Sequence, residues 1–227
     1  LRERWLADAE RLVDEVLTRS AGEGLTRSAG EGTARSADVD AIRDIAQVFP
    51  LRVFPDAVGI GQEGREHLLP YGDHAFNAFG PPNDLVAAGE PRVAELSAWV
   101  GEQCRREALT GSGFGAAIWA AADRGEVTEQ QAPLMVRSLL TAGVDTTVHG
   151  ISAVLYGLAT HPDQWARLRA DPALARVAFD EAVRWESPVQ TFFRTTTVDT
   201  LIGGTVVPAG RKVLMFYAAA NRDPRRW

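Results

Sequence analysis

A glycine, an acid and two hydroxyl residues stand together at 142–147, inside a stretch whose apolar residues repeat with a helical period. Gly143 weakens a helix by about 1 kcal/mol, and its missing side chain would let a flat group approach the backbone closely. Thr146 can donate its hydroxyl to the carbonyl of Ala142 or turn it toward a bound molecule. Two interpretations are therefore open: a bent helix with internally bonded hydroxyls, or a small polar site that includes Asp145.

A second pair with chemical potential is Glu181 and Arg184, which stand three residues apart and so meet on one helical face. An exposed ion pair contributes little to stability. Apolar residues surround this pair in the sequence, so it can be buried, and a buried guanidinium needs more acceptors than one carboxylate. Further along, Arg194 follows two phenylalanines and could meet an anion.

Helices must position most of these residues. Helical periodicity persists from Thr128 to Leu158, which predicts one helix on the order of 45 Å long. One side of this helix should pack and the other could line a cavity. The apolar stripe comprises Leu140, Val144, Val148, Ile151, Leu155 and Leu158, and the small or polar line comprises Ser138, Ala142, Asp145, His149 and Ser152.

The remaining elements indicate a mainly α fold with a small β-hairpin region. A first helix covers residues 1–17, and an eight-residue repeat at 17–24 and 25–32 predicts a flexible duplicated loop over 17–37. Asp38 or Asp40 should cap a second helix, which Phe49-Pro50 should end. Further predicted segments are helices over 38–48, 65–79, 92–109, 163–170 and 173–185, a turn or bulge at 203–204, and a hairpin over 206–217.

Composition limits the class of protein. The chain has 227 residues, a net charge of −6 and one cysteine, Cys104, which we expect to be a buried apolar side chain within a helix. The acidic balance argues against nucleic acid as a partner, and no stretch is apolar enough to predict a membrane span. A single thiol excludes an internal disulfide and points to a reducing, cytoplasmic setting. The four histidines have no metal-ligand spacing, so no metal site is expected within the chain.

Taken in order and at these distances, the motifs resemble the cytochrome P450 haem-thiolate monooxygenases, over nearly the whole chain. Residues 142–147 resemble the family's oxygen-activating segment on its long distal helix. The resemblance implies that Thr146 hydrogen-bonds the dioxygen species at the haem iron, that Asp145 relays protons, and that Ala142 and Gly143 line the haem pocket. It also implies that Glu181 and Arg184 stabilise the fold and that Arg194 holds a haem propionate. Residues 221–224 match the family's Asn-Arg-Asp-Pro stretch.

A finer resemblance is to bacterial members that hydroxylate or oxidatively demethylate para-substituted benzoates. It rests on 54–59, 74–82, 137–138 and 192–194. The residues that it implies for binding the substrate are Phe76, Phe79, Arg137, Ser138, Thr141 and Phe192. A flat anion suits aromatic walls with a small polar end group; the alternative is that these phenylalanines are ordinary core residues. Expected partners are therefore dioxygen, a ferredoxin-type electron donor and a small aromatic carboxylic acid.

The sequence departs from the family in one important respect. The family's iron is held by a cysteine in a loop well after the Asn-Arg-Asp-Pro stretch, and Cys104 lies before the distal segment without that loop's motif. We therefore expect residues 1–227 to be an interior portion of a single cytochrome P450 domain, with haem b as the implied cofactor and no metal ligand in this chain. The alternative is a truncated, non-catalytic helical remnant that binds a partner without haem.

Overall fold

The computed structural model describes the backbone of residues 1–31 and 38–227 and the side chains of 1–21 and 38–227. The chain forms two compact units, Leu1–His149 and Gly150–Trp227. Helices dominate both units, which confirms the mainly α prediction. Among the described residues, no helix combines the length and the apolar character that a membrane span requires.

The first unit is helical. Its α-helices are α1 (Arg2–Glu31), α2 (Val48–Val58), α3 (Leu68–Asn77), α4 (Asp84–Gln103), α5 (Phe114–Asp123) and the first part of α6 (Gln131–Thr160). Shorter helical segments are a π-helix at Ala41–Ala46 and 3₁₀ turns at Arg65–His67 and Arg106–Ala108. Helix α6 confirms the predicted long helix.

The core of this unit forms around α6. Residues at every fourth position of α6, from Ala132 to Val148, are at most 6% exposed, and they include Leu140 and Val144 of the predicted stripe. Three of them, Val136, Leu140 and Val144, form one buried cluster with apolar side chains from the surrounding segments, namely Val58, Ile60, Leu68, Val100 and Cys104. This spacing places a single face of α6 in the core and leaves its other faces for different roles.

Three predicted boundaries need correction. Helix α1 continues to Glu31, so the loop predicted over 17–37 begins too early. The buried stripe of Leu12 and Val16 extends to Ser20, beyond the predicted end of the helix. Residues 32–37 lie outside the described part. Phe49-Pro50 does not end a helix, because Pro50 lies in the first turn of α2, where its missing N–H costs no hydrogen bond. Helix α4 begins at Asp84 rather than at residue 92.

The caps explain two of these helix starts. Asp40 accepts hydrogen bonds from the backbone N–H groups of Ile42 and Arg43, at 3.0 Å each, and so begins the π-helical segment. Asn83 accepts from Leu85 and Val86 at 3.0 and 3.1 Å and begins α4. Both acceptors satisfy N–H groups that a helix start leaves without a partner.

The second unit combines the end of α6 with α7 (Pro162–Ala170), α8 (Ala175–Glu186), α9 (Tyr217–Asn221) and four strands. The strands are β1 (Thr191–Thr195), β2 (Thr200–Ile202), β3 (Thr205–Val207) and β4 (Lys212–Phe216). The predicted hairpin over 206–217 is wrong, since β4 pairs with β1 and β3 pairs with β2. Gly203 and Gly204 form the β2–β3 turn at φ +56° and +83°, as a two-residue hairpin turn requires.

Candidate functional site

Hydroxyl side chains of α6 bond back to the helix one turn earlier. Thr146 Oγ1 donates to the carbonyl oxygen of Ala142 over 2.6 Å, and Ser138 and Thr141 donate in the same way over 2.9 Å. Of the two arrangements that the sequence leaves open for Thr146, the structure has the internal bond. Ser138, Ala142 and Thr146 are exposed and follow one another at every fourth position, so they form one line, which we call the open line of α6.

Asp145 does not share the exposure of the open line. Its side chain is 13% exposed, and α3 packs on it so closely that a Cβ at Gly72 would lie 3.4 Å from the Asp145 Cβ. His149 Nε2 lies 3.5 Å from Asp145 Oδ1, one helical turn further along. Burial raises the pKa of Asp145; the nearby carboxylate of Asp73 adds to this rise, and His149 opposes it.

A flat group does approach Gly143, and it is a side chain of the protein. The ring of Phe54, on α2, lies where a Cβ at position 143 would stand. On the same stretch of α6, Thr147 Oγ1 donates to the carbonyl oxygen of Gly143 over 2.8 Å. The glycine therefore allows α2 and α6 to pack closely at the turn that carries the predicted site.

Two of the predicted substrate-binding aromatics lie together at the end of α3. The rings of Phe76 and Phe79 pack edge to face, with centroids 5.8 Å apart and planes at 71°. Phe79 is 57% exposed, so this pair belongs in part to the surface of the first unit. Since α3 also carries Gly72, the helix that covers Asp145 carries Phe76 and ends just before Phe79.

In the second unit, Arg184 forms the centre of a hydrogen-bond network. Its Nε and Nη2 donate to the two carboxylate oxygens of Glu181 over 2.6 Å each, and its Nη1 donates to the carbonyl oxygen of Asn221. The Asn221 amide donates to Ser187 Oγ over 3.0 Å. The predicted burial applies to Arg184, 15% exposed, but not to Glu181, 59% exposed. Hydrogen bonding to Arg184 lowers the pKa of Glu181.

The segment 221–224 docks on the end of α8. Arg222 Nε donates to the carbonyl oxygen of Trp185 over 2.8 Å, and the Arg222 guanidinium lies 4.6 Å from the centre of the Trp185 ring. On the other side, the Arg184 guanidinium lies 4.9 Å from the ring of Trp227. The extra acceptor that the sequence demands for Arg184 is thus supplied by this segment.

Phe192 and Arg194 lie on one face of strand β1, because alternate residues of a strand share a face. The guanidinium of Arg194 lies 5.0 Å from the centre of the Phe192 ring and donates to the carbonyl oxygen of Phe193 over 3.0 Å. Lys212, on the paired strand β4, places its amine 4.7 Å from the Phe193 ring. These residues belong to the second unit, whereas the other predicted pocket residues belong to the first.

Comparison with known proteins identifies the family. The model of the family "Cytochrome P450" matches residues 116–227. Over all 227 residues the chain is 55% identical to cytochrome p450 CYP199A2 of Rhodopseudomonas palustris, of which it covers 51%. The chain belongs to the cytochrome P450 family.

Solved cytochrome P450 structures agree in fold. A myxobacterial cytochrome P450, CYP267B1 in complex with myristic acid, superposes with a TM-score of 0.77 at 28% identity, over all of this chain and 53% of that one. Cytochrome P450 CREJ in complex with (4-ethylphenyl) dihydrogen phosphate also gives 0.77, at 25% identity, over all of this chain and 55% of its own. The chain thus spans about half the length of the relatives it matches.

Haem is the cofactor of cytochromes P450, and its iron needs a thiolate. Cys104, the one cysteine of the sequence, is 1% exposed in the core. Burial raises the pKa of its thiol to about 11, although the positive charge of Arg137 opposes the rise. The described residues also hold no cluster of three metal-binding side chains. The residues of this chain therefore do not fit the iron-ligating part of a haem site.

Three residues outside the predicted set contact the predicted site residues, namely Phe54, His149 and Ser187. His149 stands four residues after Asp145, a spacing that is visible in the sequence and indicates a contact on a helix. Phe54 carries no such signal toward Gly143, because the two residues are far apart in the chain. Ser187 has one indirect signal, since it follows the end of a predicted helix; it adopts a left-handed conformation there, with φ +45°.

Proposed function

We propose that this chain is part of a haem-thiolate monooxygenase that hydroxylates or oxidatively demethylates a small aromatic carboxylic acid. Dioxygen and electrons from a ferredoxin are the co-reactants in this proposal. The observation that carries it is the 55% identity to CYP199A2 over all of this chain and 51% of that relative, together with an acid and a hydroxyl that are neighbours in the sequence, Asp145 and Thr146. The haem would supply the oxygen chemistry when it is bound by the protein that contains this chain.

The substrate class rests on the first unit. Phe76 and Phe79 offer an exposed aromatic edge, and Arg137 with Ser138 offers a positive charge beside a hydroxyl on α6. Such a set suits a flat ring that ends in an anion. One solved relative binds an aromatic phosphate, (4-ethylphenyl) dihydrogen phosphate, which supports a planar anionic substrate. Thr141, also on α6, adds a further hydroxyl to this set.

Residues of α6 would handle the protons of the reaction. Thr146 already has its hydroxyl bonded within the helix at 2.6 Å, and a rotation of its χ1 would redirect this donor toward a molecule on the open line. Asp145, with its raised pKa, holds a proton more readily than an exposed carboxyl does. A carboxyl group of this kind is suited to hold and pass on a proton.

The test uses the complete gene product that contains this sequence, with ferredoxin, ferredoxin reductase, NADH and a series of para-substituted benzoates. We expect consumption of NADH and an oxidised product with the benzoates and none with uncharged analogues. Absence of product with every acid would refute the proposed substrate class. Thr146→Ala should consume electrons while forming less product, and an unchanged product yield per electron would contradict its proposed role.

The identity of the iron ligand can be tested separately. We expect the reduced, carbon-monoxide-bound gene product to show a thiolate-type Soret band that persists in Cys104→Ala. The 227-residue chain alone, mixed with haem, should not show this band. If the complete gene product gives no haem complex either, the alternative of a non-catalytic helical protein holds.

A further inference from the structure

Asp145 and His149 differ sharply in their access to water although they are neighbours. They stand one turn apart on α6, with His149 Nε2 3.5 Å from Asp145 Oδ1. The side chain of His149 is 57% exposed, whereas that of Asp145 is 13% exposed. A proton that travels between bulk water and the covered carboxylate therefore has an imidazole at the boundary.

Two titratable groups act on Asp145, namely Asp73 and His149. Helix α3 covers the acid with the backbone of Gly72 and places the carboxylate of Asp73 near it. Asp73 is a like charge and cannot compensate the charge of Asp145. Asp73, Asp145 and His149 form a cluster. Within it, only His149 can be positively charged. Histidine is also the side chain that changes its charge in the physiological pH range.

We propose that His149 is the group through which Asp145 exchanges protons with water. In this step the imidazolium gives its Nε2 proton to Asp145 Oδ1, which becomes a neutral carboxylic acid. The imidazole remains as its Nδ1–H tautomer and takes back a proton at Nε2 from water. The same contact holds Asp145 as a carboxylate whenever His149 is charged, so the pair sets both the charge and the proton supply of the acid.

The step requires little motion. Both residues lie on one continuous helix, so their Cα atoms are fixed relative to each other, and 3.5 Å is only slightly longer than a hydrogen bond. The role of the pair in turnover rests on the proposed monooxygenase function, whereas the exchange of protons between the two groups does not.

The first experiment follows the Asp145 carboxyl carbon by ¹³C NMR during a pH titration of the 227-residue chain. His149→Gln should raise the pKa of Asp145, because the opposing positive charge is lost, and Asp73→Asn should lower it, because a like charge is lost. His161→Gln is the matched control, since His161 bonds the carbonyl of Gly157 rather than an acid, and it should change nothing. An unchanged Asp145 titration in His149→Gln would overturn the proposal.

The second experiment separates a proton route from a mere ion pair. In the complete gene product, His149→Ala should reduce the rate of product formation about tenfold or more, within the range that acid–base groups contribute, and added imidazole should restore it. The solvent deuterium isotope effect should increase in the variant. Full activity of His149→Ala, or a loss that imidazole does not restore, would refute the relay. An inactive wild-type protein would instead refute the monooxygenase proposal and leave the titration result standing.

Discussion

The ring of Phe54 occupies the space that any side chain at position 143 would need. The two residues come from different helices, α2 and α6, and Phe54 packs against the core of the first unit. Gly143 is therefore required by the packing of the protein itself. The same turn of α6 carries Asp145 and Thr146, so α2 packs closely against α6 at the candidate site.

Gly143→Ala should destabilise the protein by about 1–3 kcal/mol, the usual cost of forcing an extra group into a packed core. Gly157→Ala, further along α6, is the matched control, since a Cβ there meets nothing within 4 Å. This control should gain up to about 1 kcal/mol, because alanine favours a helix over glycine. Urea denaturation followed by circular dichroism measures both. Equal effects of the two substitutions would show that Phe54 does not restrict position 143.

Removal of the ring should reverse the sign of this effect. In a Phe54→Ala background, Gly143→Ala should stabilise the protein, because the space is then open and only helix propensity remains. Phe54→Ala by itself should cost about 3–5 kcal/mol as a cavity mutation. A double-mutant cycle with the same denaturation assay gives the coupling. Additive effects of the two substitutions would contradict direct contact.

Arg184→Lys should lower the melting temperature of the protein by a few degrees. A lysine cannot keep the two-point contact to Glu181 and the bond to the Asn221 carbonyl at the same time. Arg176→Lys on the same helix is the control, because Arg176 is 91% exposed and lies 3.8 Å from Asp180. Differential scanning calorimetry should show no shift for this control. An equal shift in both variants would argue against a special role for Arg184.

The sequence predicts α6 and its packed face well, because a thirty-residue helix repeats the same signal many times. It fails for the strands, since turn residues mark where a strand ends but not which strand it pairs with. Thus Val207 and Lys212 flank a predicted hairpin turn, yet they pair with Thr200 and Thr195. The start of α4 is missed because Pro91 lies inside the helix and reads as a boundary in the sequence.

For the candidate site, local contacts are predictable and distant ones are not. The bond from Thr146 to Ala142 and the pair of Glu181 with Arg184 follow from helical spacing alone. The cover that Gly72 provides over Asp145 depends on how α3 meets α6, and no residue pattern within either helix specifies that crossing.

Cys104 should resist alkylation in the native protein. With its pKa raised to about 11, only about one thiol in a thousand is ionised at pH 8, and the thiolate is the reactive form. Ellman's reagent should therefore react slowly with the folded chain at pH 8 and quickly in concentrated urea. Rapid reaction without denaturant would show that the core around Cys104 opens readily.

Arg65→Met should cost about 3 kcal/mol, because it leaves buried acceptors without their donor. Arg65 is 7% exposed and donates to Asp56 Oδ1 over 2.5 Å and to the carbonyl oxygens of Ile60 and Gly61 over 2.9 and 2.6 Å. Arg4→Met is the matched control, since Arg4 pairs with the same Asp56 but its side chain is 64% exposed. The control should lose less than about 1 kcal/mol in urea denaturation. Similar losses would contradict the difference in burial.

Asp145→Asn should make the protein more stable at neutral pH and less dependent on pH. Because burial and Asp73 raise the pKa of Asp145 above 3.8, the folded protein binds this proton more tightly than the unfolded chain does. The free energy of unfolding therefore falls as the pH rises from the unfolded pKa to the folded pKa, and it stays lower above that range. An asparagine keeps the shape without the charge, so this decrease should disappear.

Thermal denaturation of wild type and variant between pH 4 and pH 8 measures the difference, with about 1.4 kcal/mol expected for each unit of pKa difference between the folded and unfolded states. Asp180→Asn, whose side chain is 70% exposed, is the matched control and should retain the wild-type pH dependence. A loss of stability in Asp145→Asn at neutral pH would contradict this prediction. That outcome would show that attraction to His149, rather than burial, dominates the charge of Asp145.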